Sequence, residues 1–249
     1  MNKEKKEYID GIFNYCNRWC EKCKFTSNCR TFSIESRIYT HEILNDGQLP
    51  EAKDIIKHEL KEFENEIEEF DFDVEVDLDL TEEREEIFDL HPKEKKEYEI
   101  EKLADEYFRK VHSFLKIMDE KFNFTEADNQ KKKEPKFQML FENFEIISWY
   151  HMFIMVKIKR AIRGKSNLKI GMDEFENIIE SYDMNGTAKI AAIGIKESQK
   201  ALNNLLSFVK ECSSEIEDKL VLLGKILNLL DKEFPDYKNF IRPGFDTEE

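Results

Sequence analysis

The chain contains few of the residues that interrupt helices, with 8 Gly and 5 Pro among 249 residues. Strand-like alternation is also scarce, and the one clear run covers residues 70–80. The few Gly and Pro fall where helices are expected to begin or end. The sequence therefore predicts an all-α fold, with helices near residues 33–45, 51–70, 93–121, 135–163, 173–182, 187–211 and 215–233.

The sequence also lacks a long apolar segment and a basic face. Its longest uncharged apolar run, residues 146–156, is too short to cross a bilayer, and no secretory signal follows the N-terminus. The formal net charge of −15 argues against a nucleic-acid binder. No P-loop, dinucleotide fingerprint or nucleophile elbow occurs. We therefore expect a cytoplasmic protein with no membrane or nucleic-acid partner.

Two of the predicted helices indicate how the chain packs. Residues 135–163 are apolar around nearly the whole helix circumference, which is typical of a helix buried among others. The predicted helix 187–211 carries small residues that let a neighbouring helix approach closely: Ala188, Ala191, Ala192, Gly194, Ser198 and Ala201. Together they predict a helical bundle around a central apolar helix. Residues 59–86 are dominated by Glu and Asp, so we expect an exposed or flexible insertion there.

Four of the five cysteines, Cys16, Cys20, Cys23 and Cys29, follow the spacing C-x3-C-x2-C-x5-C. Thiolates this close repel one another unless a cation neutralises them or disulfides consume them. The motif predicts a metal-binding wrap over residues 1–32, ahead of a bundle domain over 33–249. We expect a [4Fe–4S] cluster, because all four ligands lie in one compact wrap. Zinc, which usually takes two separated pairs of ligands, is the alternative, and thiols or disulfides without metal come third.

Two known cluster motifs resemble parts of this segment. The last three cysteines resemble the cluster loop of the endonuclease III family of DNA glycosylases, but the helix-hairpin-helix and catalytic Lys/Asp pattern of that family does not occur here. The first three match the C-x3-C-x2-C motif of radical S-adenosylmethionine enzymes. In those enzymes one iron site stays open, whereas a fourth cysteine would fill it here, and the strand–helix alternation of their barrel is absent. These resemblances imply a structural or electron-transfer cluster.

A wider resemblance covers most of the chain outside the acidic block. Residues 15–29, which read YCxRWCxxCxFTxxC, are similar to the N-terminal signature of a bacterial protein family whose activity is not established. Further matching segments are residues 149–151, 160–161, 183–189 and 240–246. This resemblance implies a metal motif and no particular reaction.

A second hypothesis is an enzyme with a polar site inside the bundle and a structural zinc at the cysteines. Glu142 and Glu145 lie on one face of the apolar helix 135–163, with His151 beyond them. A carboxylate on such a surface is costly unless it is paired or bound to metal. The Glu-x-x-His spacing of di-iron bundles is missing, however. An ion pair to a buried Lys or Arg is the simpler interpretation of Glu145.

The same hypothesis uses a predicted turn at residues 183–189. Asp183 begins the turn, Gly186 supplies a positive φ, and helix 187–211 opens beside Lys189. If the bundle holds such a site, Glu145 must be buried and lie near Asp183 and Lys189, although helix capping alone also explains the turn. A third hypothesis is an interaction protein whose acidic block, residues 59–86, binds a basic protein partner.

Overall fold

The structure, a computed structural model, describes residues 7–51, 53–58, 98–124, 131–168 and 173–246. The helices are α1 (Arg30–Leu44), α2 (Glu99–Phe122), α3 (Pro135–Asn167), α4 (Glu174–Leu206) and α5 (Ser213–Glu233), and residues 53–58 are also helical. Short 3-10 helices cover Cys20–Lys22, Thr26–Asn28, Lys131–Lys133, Lys210–Cys212 and Pro235–Asn239. No strand occurs in these ranges, and the all-α prediction is confirmed.

The chain divides into two compact units. The bundle unit contains Ile9–Trp19 and the described residues from 98 onward, and with them helices α2 to α5. The cysteine unit contains, among its described residues, 7–8, 20–51 and 53–58, and with them α1. The domain boundary predicted between residues 32 and 33 stays a prediction. In the structure the chain leaves the cysteine unit after Tyr8 and returns to it at Cys20.

The bundle unit is built on four helices around one apolar core. Helix α3 packs on α2 and α4, and α5 packs on the same two helices from the other side. The inward side chains of α2 recur every three or four residues, which places them on one face: Ile100, Ala104, Tyr107, Val111, Phe114, Leu115 and Met118. The predicted helical bundle is therefore confirmed.

The most extensive interface of the bundle joins α3 and α4. Helix α3 begins at Pro135, as expected for a residue whose missing N–H costs nothing at a first helical position. The small residues predicted to allow close approach are all buried: Ala188, Ala191, Ala192, Gly194, Ser198 and Ala201. A Cβ at Gly194 would lie 3.0 Å from Tyr150 Cδ1 of α3. The predicted close approach is thus confirmed, while Met152 and Val156 on the outer side of α3 are exposed.

Helix α4 corrects the sequence-based prediction of two helices separated by a turn. Residues 174–206 form one helix, and Gly186 lies in its middle. The helix starts with a capping box in which the side chains of Asp173 and Glu176 each accept the other residue's backbone N–H. The turn was expected from the local preferences of Asp, Asn and Gly, and such preferences are weak against tertiary packing.

The cysteine unit differs from the bundle unit in its burial. Helix α1 has no buried residue, and no other residue of this unit within the described ranges is buried. Tyr39, Ile43 and Leu44 of α1 are more than half exposed, at 64%, 61% and 75%. The part of this unit that the structure describes therefore has no core of its own.

Several predictions fall outside these ranges. The alternating run at 70–80, the acidic block at 59–86 and the second half of the helix predicted at 51–70 are not among the described residues. Within the described parts of the chain, no helix is long and apolar enough to span a membrane.

Candidate functional site

The four clustered cysteines are half-buried, and no disulfide joins any of the five cysteines of the chain. Cys16 belongs to the bundle unit, and Cys20, Cys23 and Cys29 belong to the cysteine unit. Cys20 begins a short 3-10 helix, and Cys29 is the N-cap of α1. The predicted ligands are therefore all thiols, the form from which a metal-binding thiolate arises.

The sulfurs of Cys16, Cys23 and Cys29 each accept a hydrogen bond from a nearby backbone N–H. The donors are Arg18 to Cys16 at 3.4 Å, Phe25 to Cys23 at 3.4 Å and Phe32 to Cys29 at 3.5 Å. Arg18 reaches its position through a left-handed backbone conformation, with φ at 58°. Outer hydrogen bonds of this kind orient metal-bound thiolates and tune their centres.

The described residues contain no group of three or more His, Cys, Asp or Glu side chains arranged to hold a metal ion. Convergence of the sulfurs of Cys16, Cys20, Cys23 and Cys29 on one centre stays a prediction.

The segment that carries Cys16 lies against α3 in the bundle unit. Trp19 stacks on Trp149, with ring centroids 5.1 Å apart and planes inclined by 14°. Asn17 is bound twice, because Trp149 Nε1 donates to its carbonyl at 2.9 Å and its own amide donates to Tyr150 Oη at 2.8 Å. Residues 17–19 are therefore held to α3 by both stacking and hydrogen bonds.

Tyr15, on the other side of Cys16, is buried against α4. Its ring lies edge-on to Phe240, with centroids 4.6 Å apart, and its hydroxyl donates to Asp183 Oδ1 at 3.5 Å. Gly186 allows this approach, since a Cβ there would lie 2.3 Å from Tyr15 Cε1. Burial raises the pKa of Tyr15, and the carboxylate of Asp183 raises it further. The phenol therefore stays protonated and keeps its role as a donor.

Asp183 is also bound by α3. The guanidinium of Arg160 donates to its two carboxylate oxygens at 2.7 and 3.1 Å, a bidentate pair. Lys157, one turn before Arg160, is half-buried; burial lowers its pKa and the charge of Arg160 lowers it further. Asp183 thus joins α3, α4 and Tyr15, and it is not a turn residue at the start of a helix.

Lys189 faces the segment 240–246. Its ammonium donates to the backbone carbonyl of Phe240 and lies 3.1 Å from Asp246 Oδ2. The guanidinium of Arg242 donates to the same carboxylate at 2.8 to 3.1 Å. These contacts, those of Arg242 above all, hold the pKa of Asp246 well below its usual range. The carboxylate therefore stays ionised and links Lys189 to Arg242.

The structure does not assemble the predicted enzyme site. Glu142 is exposed and Glu145 is half-buried. Arg160, which binds Asp183, lies fifteen residues beyond Glu145 on the continuous helix α3, a separation of roughly 22 Å along its axis. The prediction that Glu145 lies near Asp183 and Lys189 is therefore wrong, because it placed the start of a helix where α4 is uninterrupted.

His151 lies apart from these carboxylates, in a stack of rings between α2 and α3. Its ring is 5.3 Å from Phe108 with planes inclined by 5°, and 6.0 Å from His112. Its Nδ1 lies 2.6 Å from the carbonyl oxygen of Ser148. Burial lowers the pKa of His151, and the neighbouring His112 lowers it further. His151 is thus a packed, predominantly neutral imidazole and not part of a site with Glu142 or Glu145.

Several separate segments of the bundle unit come together at residues 9–19. Trp149, Arg160, Asp183 and residues 240–246 all contact residues 9–19 or one another. A scan against protein-family models, a search of curated proteins and a search of solved structures each returned no match.

Sequence reasoning assigned no role to several residues that build this cluster. Asn17 binds Trp149 and Tyr150, and Asp246 binds Lys189, all of which are distant in sequence, so no local spacing indicates these contacts. The pair formed by Arg242 and Asp246 is local, with a separation of four residues, and that spacing was the only signal available in the sequence. Gly186 was noticed, but as a turn residue, whereas the structure uses it to admit the ring of Tyr15.

Proposed function

We propose that this chain is a metal-binding protein that holds one centre through Cys16, Cys20, Cys23 and Cys29. The centre is a [4Fe–4S] cluster in this proposal, with zinc as the alternative. When bound, a cluster of this kind would either carry an electron or stabilise the fold, because four cysteines leave no iron for a substrate. Closely spaced thiols persist in a reducing compartment, so we place the protein in the cytoplasm.

The observation that carries the proposal is the set of backbone N–H groups directed at sulfur. Cys16, Cys23 and Cys29 each accept such a bond from a residue two or three positions ahead. A local donor of this kind stabilises negative charge on sulfur and so favours the metal-binding form of the side chain. Contacts of this kind at closely spaced cysteines support ligation more strongly than spacing alone.

The burial of the cysteine unit supports the same proposal. Small structures that cannot bury a sufficient core commonly depend on a disulfide or a metal. No residue is buried in the described part of this unit, and its three cysteines are in no disulfide. A bound metal would cross-link these residues in place of a disulfide.

Anaerobic purification followed by metal and sulfide analysis tests the proposal. We expect about four iron and four sulfide per chain, with broad absorption in the violet. A colourless protein with one zinc per chain would replace the cluster by zinc and keep the four ligands. A chain that binds neither metal after reconstitution would contradict the proposal.

Single cysteine-to-serine variants identify the ligands. Each of C16S, C20S, C23S and C29S should lower the metal content, since a serine hydroxyl is a poor substitute for a thiolate. Cys212 provides a matched control, because it is also a half-buried thiol but lies just before α5, far along the chain from the motif. C212S should keep the full metal content, and equal losses in all five variants would contradict the assignment.

A further inference from the structure

We infer that residues 240–246 form a clamp that holds segment 9–19, and with it Cys16, in place on the bundle. Every contact involved lies within the bundle unit. The fixing of segment 9–19 is independent of any metal, and its consequence for metal retention rests on the proposed function.

One side of the clamp is fixed to α4 by charge. Lys189 donates to the carbonyl of Phe240 at the beginning of the clamp and pairs with Asp246 at its end. Arg242 closes the loop internally through its bidentate contact with Asp246. These side chains are mostly shielded from solvent, with 21% exposure for Lys189, 22% for Asp246 and 16% for Arg242. Charged hydrogen bonds that are shielded in this way contribute more than exposed pairs do.

The other side of the clamp packs on segment 9–19. Gly244 has a φ of +73°, and a Cβ there would lie 3.0 Å from Ile12 Cδ1 and 3.1 Å from Ile9 Cδ1. A side chain at this position would therefore meet both a strained backbone and two apolar neighbours. Phe240 lies against the ring of Tyr15. The clamp thus contacts the segment at three of its side chains.

Cys16 lies between the two anchored parts of segment 9–19. Before it, Ile12 and Tyr15 are both buried, at 2% and 5% exposure. After it, Asn17 is hydrogen-bonded to Trp149 and Tyr150. Loss of the clamp would uncover Ile12 and one side of Tyr15, which would keep its contact with Asp183, and it would leave the second anchor in place. Residues 240–246 therefore act on Cys16 by positioning the segment that carries it.

Amide hydrogen exchange of the full chain, stripped of metal with a chelator, tests the clamp. Lys189→Met removes the ammonium that binds Phe240 and Asp246 and leaves a side chain of similar length. We expect exchange in residues 9–15 to accelerate by about tenfold or more, as the loss of charged hydrogen bonds implies. Lys189→Arg should restore most of the protection. Asp246→Asn is a second variant that weakens the same contact without altering α4.

Lys165 provides a matched control in the same unit. Its ammonium also donates to a backbone carbonyl and a carboxylate, both of Glu233 and both at 2.7 Å. Lys165→Met should therefore remove an equivalent set of contacts without affecting segment 9–19. Unchanged exchange in 9–15 in Lys189→Met and Asp246→Asn would overturn the inference. Equal acceleration in Lys165→Met would overturn it as well, since the effect would then be a general loosening.

Metal retention tests the consequence for Cys16. Loaded protein is challenged with a chelator, and the clamp variants should lose metal several-fold faster than Lys165→Met. Faster exchange with unchanged metal loss would overturn the link to Cys16. If the unaltered chain binds no metal, the proposed function fails, and the exchange measurement on metal-free protein still decides whether the clamp exists.

Discussion

The two compact units differ in how many of their side chains are buried. In the bundle unit, Ile147, Ile154, Ile158 and Ile195 are completely excluded from solvent, and four helices share one continuous core. In the cysteine unit, α1 is about as long as a typical helix, yet it buries none of its residues. Isolated helices of this length are marginal in water. The bundle unit is thus stabilised by burial, whereas burial contributes little within residues 20–51 and 53–58 of the cysteine unit.

The difference predicts where each kind of perturbation will act. Truncation of an apolar side chain should damage the bundle unit far more than the described part of the cysteine unit, because only the former has buried apolar residues. Removal of the proposed metal should damage the cysteine unit more than the bundle unit. Four perturbations test this difference, and they are given in decreasing order of expected effect.

Metal removal should have the largest effect, and it should be confined to the cysteine unit. Binding of a structural metal contributes about 10–16 kcal/mol in small zinc peptides, where it supplies the folding free energy. After chelation, we expect amide exchange in residues 20–51 to approach that of an unstructured chain, while α2 to α5 keep their protection. Loss of protection throughout the bundle would show that the units do not differ as described.

A core truncation should come next. Ile154→Ala in α3 should lower the free energy of unfolding by about 2–5 kcal/mol, measured by denaturant titration of the helical circular dichroism signal. Ile38→Ala in α1 removes the same atoms from a half-buried position, and should cost less than about 1 kcal/mol. Met152→Ala, which alters an exposed side chain of α3, controls for helix propensity. Equal losses for Ile154 and Ile38 would contradict the contrast.

Substitution by alanine at two glycines inside helices should change the melting temperature in opposite directions. A Cβ at Gly186 would lie 2.3 Å from Tyr15 and 2.7 Å from Phe240, whereas a Cβ at Gly224 in α5 has no atom within 4 Å. Gly186→Ala should lower the melting temperature, at a cost of about 1–3 kcal/mol from overpacking. Gly224→Ala should raise it, with a gain of about 0.5–1 kcal/mol. Stabilisation by Gly186→Ala would mean that Tyr15 is not held against α4.

The smallest effect concerns the pH dependence of the bundle unit. Burial lowers the pKa of His151, so below about pH 6.5 the unfolded chain binds a proton that the folded chain does not. The contribution of His151 to stability should therefore be fully present above this pH and be lost as the pH drops towards the folded pKa. His151→Phe, which keeps a ring on Phe108, should remove this loss. His41→Gln, at an exposed position of α1, should leave it unchanged.

The sequence predicted much of the helical architecture. Helices α1, α3 and α5 start within about three residues of their expected positions, because apolar periodicity and Pro135 are strong local signals. The expected break at Gly186 was wrong because the same residue type serves two purposes. Its tolerance of positive φ indicates a turn, while its missing side chain here serves contact with a ring from a distant segment.

The candidate site was only partly predictable. The ligand residue types follow from the cysteine motif, but the contacts that surround Cys16 do not. Lys189 meets Asp246 fifty-seven positions away, and Tyr15 meets Asp183 across 168. Such contacts depend on the packing of α3 on α4, which no pattern within a short window shows. Likewise, the sequence does not show that Asp183 pairs with Arg160, which lies fifteen residues beyond Glu145 on α3.

The clamp has a consequence for the order of events during synthesis. Segment 9–19 leaves the ribosome some 220 residues before residues 240–246, an interval of roughly ten to forty seconds at ordinary rates of translation. During that time Ile12 and Tyr15 lack their neighbours Gly244 and Phe240, whereas the residues of α3 and α4 that bind Asn17 and Tyr15 are already synthesised. The contacts after Cys16 can therefore form before the clamp, and the clamp contacts before Cys16 form later.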